Sequence, residues 1–102
     1  MKPDDLTWDK LLLHIQRALV GQVSSSLRAV VLRLNGNSAL IKFFFDGEIT
    51  DLDWSDVHGV YGEGLAYYYD PDIQLEVNRL DMPKKLPSLE KGNESWVFMR
   101  RE

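Results

Sequence analysis

The chain has 102 residues, no cysteine, 44% apolar and 27% charged residues, and a formal net charge of −4. That length supports one working core, so a single domain over residues 1–102 is expected. The missing cysteine excludes disulfides, thiolate metal sites and a cysteine nucleophile. The first apolar run, residues 11–13, is short and flanked by Asp9, Lys10 and Arg17, unlike a leader or a membrane span. The cytoplasm is therefore the expected location.

Asp4 or Thr7 can cap a helix beginning near Leu6. At about 100° per residue, Trp8, Leu11, Leu12, Ile15, Ala18 and Leu19 share one core-facing arc, and Lys10, Leu13, His14 and Arg17 are expected to point away. Gly21 is a stop signal, and residues 24–26 form a polar turn. Residues 27–34 and 39–45 read as a hairpin around Asn35-Gly36-Asn37. Its register follows from the apolar pattern. Pairing Leu34 with Ala39, Leu32 with Ile41 and Val30 with Phe43 puts all six on one face. The other face pairs Arg33 with Leu40, Val31 with Lys42 and Ala29 with Phe44. It is half apolar and is expected to be partly covered or adhesive.

Asp46-Gly47 ends the second strand, and Thr50 or Asp51 caps a second helix. Its expected buried stripe is Trp54, Val57, Tyr61, Leu65 and Tyr68, at spacings of 3 and 4. Gly59, Gly62 and Gly64 oppose that helix by about 1 kcal/mol each. Burial of aromatics outweighs the cost, so a helix is still expected, ended by Asp70-Pro71-Asp72. The glycines themselves are read as allowing close packing or a bend. Residues 73–80 form a third strand with Ile73, Leu75 and Val77 inward. Residues 81–95, rich in Pro and Lys, resemble a linker. Residues 95–101 form a fourth strand with Trp96 and Phe98 on one face. The order α-β-β-α-β-β predicts an α+β two-layer sandwich: a four-stranded, mainly antiparallel sheet with two helices on one face.

Charge is strongly segregated. Residues 43–78 hold nine carboxylates and no Lys or Arg, a charge of −9, against +5 for the remainder. A plain solvated face is one explanation. A surface that captures a basic partner is the other, because complementary charge speeds association and suppresses wrong partners. The residues expected to meet that partner are Asp46, Glu48, Asp53, Asp56, Glu63, Tyr67, Asp70 and Asp72. Asp51-x-Asp53-x-Ser55 opens like a calcium loop but has Asp56 and Gly62 where such a loop needs Gly and Glu. Gly59-x-x-Gly62-x-Gly64 runs in the wrong order for a dinucleotide fingerprint. The aromatic clusters at 43–45 and 67–69 lie in the acidic region, which argues against nucleic-acid binding. His14 and His58 fall on different helices, with no nucleophile assigned to either. No cofactor or metal is expected. Two rivals stand beside the binding reading: a small metal-dependent enzyme using Asp51, Asp53 and Asp56, and a module that self-associates weakly through Val31, Leu40 and Phe44.

The segment Lys42-Phe43-Phe44-Phe45-Asp46-Gly47-Glu48-Ile49-Thr50 resembles small bacterial immunity proteins of contact-dependent growth inhibition and related polymorphic toxin systems. Ile15-Gln16-Arg17-Ala18-Leu19, Leu27-Arg28-Ala29-Val30, Arg79-Leu80-Asp81-x-Pro83 and Trp96-Val97-Phe98-x-Arg100-Arg101-Glu102 fit the same pattern. The resemblance implies a non-enzymatic inhibitor that binds one cognate toxin domain, a basic protein taken to be a nuclease, with no nucleic acid or membrane partner.

Overall fold

The computed structural model describes residues 8–35, 38–67, 72–89 and 93–102, leaving the side chains of 8–10, 35, 63–67 and 72 outside the description. Six elements follow in order: α1 (Trp8–Ala18), β1 (Leu27–Asn35), β2 (Ser38–Phe45), α2 (Asp51–Tyr67), β3 (Asp72–Arg79) and β4 (Glu94–Met99). The sheet order is β3-β2-β1-β4. β1 runs antiparallel to β2 and β4, whereas β2 and β3 are parallel. A parallel pair needs a crossover of a dozen or more residues, and α2 supplies it. The α+β order and mainly antiparallel sheet match the expectation.

Both helices lie on one face. Leu11, Ile15 and Leu19 of the α1 region and Val57 and Val60 of α2 close over Val30, Leu32, Ile41, Phe43 and Phe45, all at most 5% exposed. Burying side chains of this size from water is the dominant favourable term in folding. Phe43 and Phe45 stack at 6.4 Å, and the Tyr61 hydroxyl donates to the Ile73 carbonyl at 2.7 Å, tying α2 to β3. His14, expected to face away, is buried. α2 lies alongside α1, so α1 is covered over a wider arc than its sheet-facing stripe. Gly21 and Gly47 adopt φ of +79° and +87°, the left-handed conformation that lets the chain turn after α1 and after β2.

The β1–β2 register is the predicted one from Leu34↔Ala39 to Ala29↔Phe44. Between Leu27 and Ala29 it shifts, because Arg28 is an extra residue. A second shift on β4 opposes Val30 to Phe98 and Val31 to Trp96, which makes Val97 the extra residue. This overturns the placement of Trp96 and Phe98 on one face. An inserted residue breaks strict alternation, so Phe98 packs with the helical layer while Trp96 joins the opposite face.

That opposite face is covered. Ala29, Val31 and Phe44 lie beneath Leu80, Leu86, Leu89 and Trp96. The segment expected to be a linker is thus a strap over the sheet, and Val31 and Phe44, at 1% and 7% exposure, are withdrawn from any self-association surface. Ionic ties anchor the start of the strap. Buried Arg28 forms two bonds with the Glu102 carboxylate, at 2.7 and 2.8 Å, and donates a third to the Leu80 carbonyl at 2.7 Å. The Gly47 N–H donates to Asp81 at 2.7 Å, and the Met82 N–H donates to Asp46 at 3.1 Å. Lys42, on the covered face, pairs with Glu94 at 2.8 Å.

Candidate functional site

The acidic residues of 43–78 separate into two groups. Asp53 is 3% exposed and belongs to the scaffold. The Thr50 N–H donates to Asp53 Oδ2 at 3.0 Å, and the Asp53 N–H donates to Thr50 Oγ1 at 3.1 Å. This reciprocal pair is a capping box that satisfies backbone donors at the start of α2. The Ser26 hydroxyl donates to the same carboxylate at 3.3 Å, which ties the helix start to the turn before β1. Burial alone would push the Asp53 carboxyl up. Bonds from the Thr50 N–H and from the Ser24, Thr50 and Ser26 hydroxyls outweigh it and hold the group below its ordinary value. The expectation that Asp53 meets a partner is therefore corrected.

Asp46 is likewise engaged. It accepts from the Met82 N–H and lies 3.5 Å from Arg100. Arg79 and Arg28 also feel its charge, so Asp46 sits in a mixed ionic cluster with Arg28, Arg79, Arg100, Asp81 and Glu102. In that cluster the Arg28 guanidinium holds the Glu102 carboxyl down to about 2.

Glu48, Asp51 and Glu76 are exposed, and Asp56 is half-buried. Glu63, Tyr67, Asp70 and Asp72 were expected to extend this surface, but their side chains lie outside the described residues.

The face that α2 buries shares Val57 and, at its edge, Tyr61 with the predicted stripe, but is turned so that Asp53 and Val60 are buried and Trp54 is not. Asp53, Val57 and Val60 point inward, Tyr61 lies at the boundary, and Leu65 and Tyr68 fall outside the description. Trp54 is 40% exposed rather than core. It stacks on His58 with ring centroids 5.9 Å apart and planes 26° apart. Leu52, at 77% exposure, stands on the surface as well. The outer side of α2 thus carries Asp51, Trp54, Ser55 and His58, a carboxylate and an aromatic pair in one strip. Hydrophobic spacing alone misplaced the start of the buried stripe because Trp54 outweighed a small buried acid. The Thr50-x-x-Asp53 capping pattern was the signal that could have fixed it.

Gly59 and Gly62 do not serve close packing, and the surroundings of Gly64 lie outside the described residues. A Cβ at Gly59 would meet Gln22 at an ordinary 3.5 Å, and one at Gly62 would meet nothing within 4 Å. α2 nonetheless runs unbroken past both. An open groove of about 360 Å³ between the helices is lined by His14, Arg17, Ala18, Val20, Gln22 and Gly59, and takes in none of the expected site residues.

Catalytic grouping is not favoured by this geometry. Asp53 turns inward while Asp51 faces solvent, so the trio of the enzyme reading does not converge. Among the described residues, no three of His, Cys, Asp and Glu are grouped to hold a metal ion. Among the same residues, no helix is long and apolar enough to cross a membrane.

No curated protein matches the chain significantly. A family model described as MafI2 immunity protein matches residues 8–102. That span takes in both helices, all four strands, the strap and the strip on α2, and the chain therefore belongs to the MafI2 immunity protein family.

Proposed function

We propose that the chain neutralises one cognate toxin domain, a nuclease of a contact-dependent or related polymorphic system, by stoichiometric binding through the carboxylate surface of α2 and its flanks. It acts in the cytoplasm, as a single domain, and without enzymatic chemistry of its own. The observation that carries this reading is the exposure of Glu48 and Asp51, just before and at the start of α2, within a stretch that holds no Lys or Arg; Glu76, also exposed, stands on the opposite face of the sheet in register with Lys42. A nuclease active site is positive because it must hold a phosphate backbone. An acidic inhibitor is drawn to such a site and covers it. Glu63, Tyr67, Asp70 and Asp72 extend the same surface in this proposal, and Asp56 lies on its margin.

The test is reversal of Glu48 and Asp51 to Lys in one protein. Neither is buried, so the circular dichroism spectrum and melting temperature should stay near those of the parent. Association with the cognate toxin domain should slow at least about tenfold at low salt, with a flatter salt dependence. Cells producing the variant should lose protection while holding folded protein. Equal association rates at low salt and equal protection would overturn the proposal and leave a solvated face.

A further inference from the structure

We infer that the Trp54–His58 stack, with Asp51 beside it, is a receptor for an arginine side chain on the partner's basic surface. This rests on the acidic-face reading above and adds the chemistry of one contact. Asp51, Trp54 and His58 follow one another at helical neighbour spacing, so carboxylate, indole and imidazole form a row along the solvent side of α2. His58 lies over the indole at 5.9 Å and leaves it 40% exposed. A folded domain gains nothing from showing so large a ring to water, whereas indole is the best aromatic acceptor for a cation. The local charge selects the ligand. Residues 43–78 hold no Lys or Arg that could fill the place from within that stretch, and Asp51 is exposed beside the pair; Glu48 is exposed as well, within reach of the Arg79 charge. At the start of α2 the Asp53 N–H is already bonded to Thr50 Oγ1, and the Asp53 carboxylate adds a negative charge there, which reduces the opposition of the helix N-terminus to a cation. Guanidinium fits better than ammonium. It is planar, continues a stack, and keeps N–H donors in its plane for a carboxylate.

The test is a ¹H–¹⁵N NMR titration of the full chain at low salt with short polyarginine and polylysine peptides. Both peptides should shift the amides of Glu48 and Asp51. Polyarginine should also move the Trp54 indole N–H and the His58 ring, and polylysine should move them much less. Trp54→Leu, which keeps an apolar side chain on a partly exposed site, should weaken polyarginine binding about two- to five-fold and leave polylysine binding nearly unchanged. If the Glu48 and Asp51 amides shift while the indole stays still, the receptor is overturned and the acidic face stands. Equal indole shifts with both peptides overturn the choice of arginine. If no amide of the acidic stretch moves, the acidic-face reading fails and the receptor fails with it.

Discussion

Replacing Gly62 by Ala should make this protein more stable. Gly62 lies inside α2, five residues before its last residue, Tyr67, and does not have a positive φ. A methyl group there would meet no atom within 4 Å, so it neither clashes nor adds packing. What remains is backbone entropy: glycine in a helix interior is about 0.8–1.0 kcal/mol less favourable than alanine. In a domain of this size that corresponds to a rise in melting temperature of about 4–8 °C. The assay is thermal unfolding by circular dichroism, together with urea unfolding in which the midpoint rises and the slope is unchanged. Gly47→Ala is the control of opposite sign. It is also open to solvent but holds φ at +87°, so it should lose about 1–2 kcal/mol. An unchanged or lowered melting temperature for Gly62→Ala would refute the claim that residue 62 sits in an ordinary, unhindered helical turn.

Thr50→Ala should remove half of the capping box and lower stability by about 0.5–2 kcal/mol, measured by urea unfolding. Asp53→Lys should unfold or strongly destabilise the protein, because it buries a charge among bonds built for a carboxylate; a parent-like melt would refute its inward role. Phe43→Ala should cost about 3–5 kcal/mol, against a small loss for Trp54→Ala, and equal losses would contradict the phase of α2. Acid should expose the Arg28–Glu102 pair. The folded Glu102 carboxyl is depressed from 4.5 to about 2, so its contribution is complete above pH 4.5 and is lost as pH falls toward 2. Glu102→Gln should flatten the fall in melting temperature over that window, and an unchanged slope would refute the linkage.

The β1–β2 pairing was legible because Leu32, Leu34, Ile41 and Phe43 share one wholly apolar face while Arg33 and Lys42 mark the other, and a slip by one would mix the two. α2 and its start were legible from spacing and from Thr50. The sheet order was not, since nothing local states that β3 joins β2 in parallel while β4 crosses to β1. The two bulges were hidden for a related reason. Arg28 and Val97 look like ordinary strand residues, and only the opposing strand makes either one supernumerary. The strap was misread because Pro and Lys dominate its composition, while three leucines spread from 80 to 89 hold it to the sheet. At the candidate site, the overall acidity was readable from composition. The division between a structural Asp53 and an outward Asp51 depends on helix phase, which the large exposed Trp54 disguised.

The phase of α2 also bears on how such a protein can diverge. Val57 and Val60 hold the helix to the core and Asp53 fixes its start, while Asp51, just before them, and Trp54, Ser55 and His58, among them, face outward. Substitutions at surface positions away from caps and cores usually change stability by less than about 0.5 kcal/mol. The outward set can therefore change with little cost in stability while the inward set keeps the helix in place. One helix thus carries side chains that hold the fold and side chains free to change at little cost in stability, interleaved at single-residue resolution.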